Sequence, residues 1–386
     1  MKIQEVSTVV VNARLRNWVF VKVTTDQPGL IGWGEATLEW KAQAVRGAVY
    51  DLAPLLVGQD PLRIQHIWQS MYRHPFFKGG PVAMSAVSGI DQALWDIKGK
   101  DMGVPVWQLL GGNVREKVRM YDHLGGGDSN AVYGSLPDQF AEAALRSVAD
   151  GFTALKMLAV PVGGALPSAA QLRQARQIMG DVRDAVGDDV EVMVDLHGRT
   201  TPAGAIAYGR ALEEFRPWFF EEPCQPEDVS ALAEVAGRLS IPVATGERLI
   251  TRNEFRAVLD RRAAAILQPD VCHVGGITEM MKIASLAESS FVSLAPHNPL
   301  GPVATWANLH VDFAVPNFLI QEIMRADVPW RADVVTSVPQ IEDGYVSLPT
   351  APGLGVEVDE TEAAKYPYVP EIQIQTVVGD GSVADW

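Results

Sequence analysis

The sequence predicts an α/β protein: a (β/α)8-type barrel carrying an α+β cap formed by the N-terminal region and the C-terminal tail. Three observations predict it. From about residue 118, short apolar stretches alternate with longer helical patterns eight times over some 210 residues. No G-x-G-x-x-G fingerprint follows the first of these stretches, as an open dinucleotide-binding sheet would require. The first 110 or so residues have another texture, strand-like and then helical. With 386 residues, 47% of them hydrophobic and 20% charged, the chain can bury sizeable cores.

The elements follow in order. "IQEVSTVVVNA" and "WVFVKVTTD" alternate like strands, and Asp26, Pro28 and Gly29 suit a hairpin between Thr24 and Gly34. In "SAVSGIDQALWDIKGKDMG", Ile90, Leu94 and Ile97 recur at helical spacing until Gly103 and Pro105 end the pattern. Residues 1–117 are therefore assigned to the cap and 118–340 to the barrel. Barrel strands are expected near 118–122, 153–157, 190–195, 217–221, 241–245, 265–268, 291–295 and 318–322. "SAAQLRQARQIMGDVRDAVG" predicts a helix from a capping Ser168 to Gly187, with Leu172, Ala175, Met179, Val182 and Val186 apolar. "TPAGAIAYGRALEEF" puts Pro202 in a first turn and Ala205, Tyr208, Leu212 and Phe215 along one face. Beyond about residue 340 the alternation stops. "DGYVSLPTAPGLGVEVDE" reads as hairpin or loop, "GLGVE" within it as a turn, and residues 341–386 are expected to pack back onto the cap.

Composition excludes several classes of function. A net charge of −15 without a basic stripe disfavours nucleic acid. Cys224 and Cys272 have no paired spacing, so neither a structural zinc nor a disulfide framework is expected, and a reducing cytoplasm is the simplest setting. The N-terminus lacks the apolar region and cleavage site of a signal peptide, and no window approaches the 18 apolar residues of a membrane span. The expected partners are a small molecule and further copies of the chain in a symmetric homo-oligomer.

Barrel active sites sit at the C-terminal ends of strands. The third predicted strand ends at Asp195 in "VMVDLHGRTTP", with His197 just beyond; in an extended strand the two would share a face. The fourth ends at Glu221 in "WFFEEP", and the fifth runs into Glu247 in "PVATGERL". These carboxylates stand 26 and 26 residues apart, one βα repeat each, so they should converge. Three crowded like charges raise one another's pKa values, and a divalent cation removes that conflict. All-oxygen anionic ligands favour Mg²⁺ or Mn²⁺ over zinc. The sixth and seventh strands lead to Asp270 in "LQPDVCHVGG" and His297 in "LAPHNPLGP", neighbours able to form a carboxylate–imidazole pair. His197 and His297 would then face each other across the ring. Glu322 in "LIQE" is a candidate either for substrate contact or for a salt bridge. Lys156 stands either near a substrate carboxylate or as neutraliser of the acids, and Glu222, by alternation, points away from them. His66, His74, His123, His273 and His310 read as structural, with His123 and His273 close enough to strand ends for substrate contact.

The three acids, the Asp270–His297 pair and "GWGE" in the leading α+β unit resemble the mandelate racemase branch of the enolase superfamily. "SGIDQALWDIKGK", "VPVWQLLGG", "VDLHGR", "FFEEP", "GERL", "LQPD" followed by "HVGGITE", and "LAPHNPLGP" are similar to its D-galactonate dehydratase group, over essentially the whole chain. The resemblance implies that Asp195, Glu221 and Glu247 bind Mg²⁺, that His297 with Asp270 removes the proton beside a carboxylate, and that His197 is the general acid. It implies dehydration of an aldonate, D-galactonate foremost, to the 2-keto-3-deoxy acid, under a cap that chooses the substrate. Gluconate, mannonate or an aldarate as substrate, racemisation, and a catalytically silent barrel are the alternatives. Many relatives carry Lys-x-Lys at the second strand; here "LKML" places Leu158, which excludes a lysine base.

Overall fold

A computed structural model describes residues 1–124, 137–161, 163–324, 327–371 and 375–385. The alternating N-terminal stretch forms β1 (Ile3–Ala13) and β2 (Arg16–Thr25), joined by a tight turn with Arg14 in a left-handed conformation. The turn formers after Thr25 send the chain back as β3 (Ile31–Glu35), completing an antiparallel sheet in the order β1–β2–β3. Helices α1 (Ala42–Leu56), α2 (Ile64–Arg73) and α3 (Pro81–Met102) pack on it, and Val45, Ile67, Ile90 and Leu94 join Val19, Val21 and Val23 in one apolar core. Pro81 occupies the first turn of α3, and Gly103 ends the helix at φ 69°, as its signal predicts. Gly34 must be glycine: a Cβ there would lie 2.0 Å from the carbonyl oxygen of Gly89, because β3 and α3 meet backbone to backbone.

After the short α4 (Val106–Leu109), the barrel opens with β4 (Lys117–His123), β5 (Ala154–Met157), β6 (Glu191–Asp195) and β7 (Phe220–Glu221). It continues with β8 (Val243–Thr245), β9 (Ile266–Leu267), β10 (Ser293–Leu294) and β11 (Gln321–Ile323). Each strand falls on one of the eight predicted stretches. Parallel pairing runs from β10 through β4 to β11, and a parallel bridge between Leu294 and Phe318 closes the ring. One side chain from each strand or its flank forms a closed apolar layer inside: Tyr121, Ala154, Met193, Phe219, Ala244, Ile266, Ala295 and Ile320. That layer is the floor beneath the strands' C-terminal ends.

Among the described residues, seven helices follow the first seven barrel strands, β4 to β10: α5 (Pro137–Ala149), α6 (Ala169–Val186), α7 (Pro202–Leu212), α8 (Val229–Arg238), α9 (Arg252–Asp260), α10 (Gly276–Glu288) and α11 (Pro302–Ala314). Ser168 and Gln171 make a reciprocal capping box at the start of α6, and Gly187 ends it at φ 77°. The eighth unit differs from the regular pattern. Among the described residues no helix of comparable length follows β11; the chain reaches β12 (Tyr345–Ser347), which pairs antiparallel with β4. The reason lies in register. β11 engages Met120–Asp122, so Lys117–Arg119 extend past the ring with backbone groups to satisfy, and β12 satisfies them. Farther on, Leu354 N–H donates to Asp96 Oδ1 at 2.7 Å, and Asn17 Nδ2 to Val369 O at 2.8 Å. No helix among the described residues is long and apolar enough to cross a membrane.

His310 on α11 ties barrel, α4 and tail together. It is fully buried; its Nδ1 accepts the Trp107 N–H at 3.2 Å, and its Nε2 donates to Leu354 O at 3.2 Å. A second proton would point at an N–H, so the fold holds the ring neutral. Burial pushes its pKa down to about 4, the Leu354 carbonyl opposing. The unfolded chain protonates it near 6.5, so stability is lost as pH falls from 6.5 toward 4. By that linkage the loss at pH 5 is about 2 kcal/mol relative to pH 7.5. Urea denaturation at the two pH values should therefore show the stability gap between wild type and His310→Phe shrinking by that amount at pH 5. Equal pH slopes for the two proteins would refute the assignment.

Candidate active site

Every predicted site residue lies at the C-terminal rim of the barrel. Asp195 and Glu221 are the last residues of β6 and β7 and pair directly in register. Glu247 follows Gly246, whose φ of 149° and would-be Cβ 2.8 Å from the Gln268 backbone admit only glycine. That turn swings Glu247 inward, and one oxygen from each of the three acids lies within 4.8 Å of the others.

Lys156 on β5 is buried beneath them. Its Nζ pairs with Glu221, with Glu322 at 2.7 Å and with Asp195 at 3.7 Å, so of the two sequence alternatives it takes that of neutraliser. Burial drives Glu221 well above the usual carboxylate range, Lys156 opposing and Asp195, Glu322 and Glu247 adding. Burial also raises Glu247, with His297 opposing and Asp195 adding. Asp195 moves the other way. Burial would raise it, but Lys156, His197 and the His197 N–H at 2.7 Å hold it below its ordinary value. Burial thus raises two of the three acids, and repulsion from their neighbouring carboxylates adds to it.

Asp270 follows β9. Its Oδ1 accepts the Cys272 N–H at 2.6 Å, which aims Oδ2 at Nδ1 of His297, 2.8 Å away. Nε2 of His297 is left facing Glu247 Oε2 at 3.4 Å. Burial would lower the His297 pKa, but Glu247, Asp270 and Glu322 lift it to about 10. His197 is not placed by strand alternation, because β6 stops at Asp195. A left-handed turn at His197 (φ 53°), closed by its N–H to Asp195, turns it into the same cavity as His297. Such a conformation costs a non-glycine residue about 1 kcal/mol or more, and such strain clusters at functional sites. β6 and β10 are four strands apart in the ring, so the two histidines enter from opposite sides.

Glu322 on β11 is both cavity lining and salt bridge. Its Oε2 accepts the Asn298 N–H at 2.8 Å, one residue past His297. Burial notwithstanding, Lys156, His297 and His123 lower it to about 2. His123 also lines the cavity, and burial with Lys156 pushes it down to about 3. His273 bridges Ser85 Oγ (3.0 Å) and Asp270 Oδ2 (3.6 Å). Glu222 faces away from the acids and braces the turn carrying Glu247, accepting from the Thr245 hydroxyl, the Gly246 N–H at 3.2 Å and Arg248 Nε at 2.7 Å.

Asp195, Glu247, His197, His297, His123, Lys156 and Glu322 line a cavity of about 80 Å³ that Leu158, Pro299, Met324, Arg16 and Glu39 complete. Larger depressions of about 510 and 640 Å³ lie elsewhere on the surface and contain none of the carboxylate–histidine set. Sequence reasoning missed Arg16 and Glu39, which come from the cap, and Gln268, whose Nε2 donates to Glu221 Oε2 at 2.6 Å. Gln268 had a visible signal, a polar residue at a strand end two before Asp270. The cap residues had none.

Residues 3–111 match the mandelate racemase / muconate lactonizing enzyme N-terminal domain, and residues 139–362 the enolase C-terminal domain-like family. Over 377 residues the chain is 43% identical to a D-galactonate dehydratase of Ralstonia nicotianae and 42% identical to one of Klebsiella pneumoniae, with 96% of each chain covered. In structure it is similar to a mandelate racemase/muconate lactonizing enzyme-like protein of a Roseovarius species. The TM-score is 0.91 and the identity 37%, over 98% of this chain and 99% of that one.

Proposed function

The chain belongs to the mandelate racemase branch of the enolase superfamily, and on that footing we propose that it is a Mg²⁺-dependent sugar acid dehydratase acting on an aldonate, D-galactonate foremost. The observation that carries this is the convergence of three acids beside one cavity entered from opposite sides by His297 and His197. The donor set fits the ion: three carboxylates from three successive strand ends, with no thiolate or imidazole among them, suit a hard divalent cation such as Mg²⁺, or Mn²⁺. Asp195, Glu221 and Glu247 would hold it. When bound, such a cation stabilises negative charge developing on a substrate carboxylate as the neighbouring proton leaves.

The chain's own residues do the rest. His297, held through Nδ1 by Asp270, takes the C2 proton at Nε2 in its neutral form, which a cation on Glu247 would favour by offsetting the carboxylate charge that lifts the ring's pKa. His197, from the other side, gives a proton to the C3 hydroxyl, which departs as water. The resulting enol tautomerises to the 2-keto-3-deoxy acid. Glu322 and Asn298 keep the His297 segment in place, and Leu158 supplies an apolar wall without a base. In this scheme residues 1–117 and 341–386 form the cap that closes the site and 118–340 the catalytic barrel, as a soluble cytoplasmic homo-oligomer. The opposed histidines also suit a racemase, which would move the C2 proton from face to face without losing water.

A panel of aldonic and aldaric acids, incubated with the protein and Mg²⁺ and assayed for 2-keto acid, tests the proposal. D-galactonate should give product, and chelation should stop it. C2 epimerisation without 2-keto acid would favour the racemase; no reaction across the panel would refute the proposal.

A further inference from the structure

The cap lends the cavity two charged side chains, and their pairing bears on what the far end of the substrate carries. Arg16, the first residue of β2, is 4% exposed. Its Nη1 donates to Pro299 O at 2.5 Å and lies 3.0 Å from Glu39 Oε1, while Nη2 stands 3.7 Å from the Met324 sulfur. The guanidinium is thus fixed against the segment two residues past His297. Glu39, just beyond β3, completes an ion pair that lines the same cavity as Asp195 and Glu247. The other permanent cation on that lining, Lys156, is engaged by Glu221 and Glu322. Among the described lining residues, both permanent cations therefore already face carboxylates.

That arrangement discriminates between end groups. A guanidinium beside a carboxylate offers donors and acceptors together, which suits hydroxyls. A second substrate carboxylate would have to approach Glu39 at like charge, or displace it and leave it unpaired in a partly enclosed site. Resting on the dehydratase assignment, we propose that the Arg16–Glu39 pair is the subsite reading the distal end of the substrate, selecting sugar acids that end in a hydroxymethyl group over those that end in a second carboxylate.

Galactonate and galactarate differ only at C6 and make the test. With Mg²⁺ present, wild type should favour galactonate in kcat/KM by about 100-fold or more, the scale at which a like-charge clash discriminates. Glu39→Gln should narrow that preference by about 10-fold or more, through better use of galactarate. Arg16→Gln should act oppositely, raising KM for galactonate modestly and for galactarate more, because Glu39 is left without its cation, and so widening the preference. Calorimetric affinities for the two acids in a His297→Asn background, where turnover is stopped, should follow the same order. An unchanged ratio in Glu39→Gln at unaltered thermal stability would overturn the proposal, as would a wild-type preference for galactarate, and in both cases the dehydratase assignment stands. Wild type inert toward every sugar acid would remove that assignment and the proposal with it.

Discussion

Replacing His297 with asparagine should lower kcat for dehydration by about 10³-fold or more, the range lost when a positioned general base is removed. Asparagine keeps a donor where Nδ1 meets Asp270 Oδ2 at 2.8 Å, so the loop and the acids should stay in place. It has no basic nitrogen where Nε2 faces the cavity. Mg²⁺ should therefore still raise the thermal midpoint of the variant while turnover is gone. Deuterated water separates this base from the acid across the ring. His297→Asn should show neither water loss nor exchange at C2. His197→Asn should retain exchange while losing elimination, since the proton still comes off but the hydroxyl has no donor. Full activity in His297→Asn would remove the base assignment, and loss of C2 exchange in His197→Asn would remove the division of labour.

The positions of the residues proposed for these roles are readable in the sequence because strand ends are readable in it. Each barrel strand is an apolar run bounded by caps or turns, and Asp195, Glu221 and Glu247 stand 26 residues apart in three successive repeats, although only Asp195 and Glu221 share a register position and Glu247 is brought in by the Gly246 turn. Local chemistry decides such features, so one sequence displays them. What it does not display is set by distant contacts. β12 joins β4 because the first residues of β4 overrun the ring, a matter of register that no periodicity encodes. The placement of His197 depends on a left-handed residue rather than on alternation, although the following Gly198 marks a turn. Arg16 opens one strand of the cap and Glu39 follows another, and where their side chains reach is decided by how cap and barrel pack. The end of the cavity at the three acids is therefore legible in sequence, whereas the end lined by Arg16 and Glu39 is legible only in three dimensions.

Lys156 stood between two roles in sequence, and its surroundings predict a large effect for Lys156→Met. Its ammonium is 1% exposed and touches Glu221, Glu322 at 2.7 Å and Asp195 at 3.7 Å. Methionine has nearly the same volume, so little of the cost is cavity. Removing one partner of a buried ion pair typically costs about 3–5 kcal/mol, because the other charge stays buried and uncompensated. Here three carboxylates share that fate. In wild type the Glu322 carboxyl, held at about 2, adds stability that is present above its ordinary value of 4.5 and lost as pH falls toward 2. Without the ammonium, burial and repulsion push these acids up, so the variant must bind protons or carry unpaired charge, and either burden grows as pH rises. The stability gap from urea denaturation should therefore be wide at pH 8 and narrower at pH 5, and Mg²⁺ should stabilise the variant more than wild type. A gap independent of pH, or no gap, would mean that Lys156 is not what lets the acids coexist in the unloaded protein. The cluster would then have to tolerate its own repulsion by protonation alone.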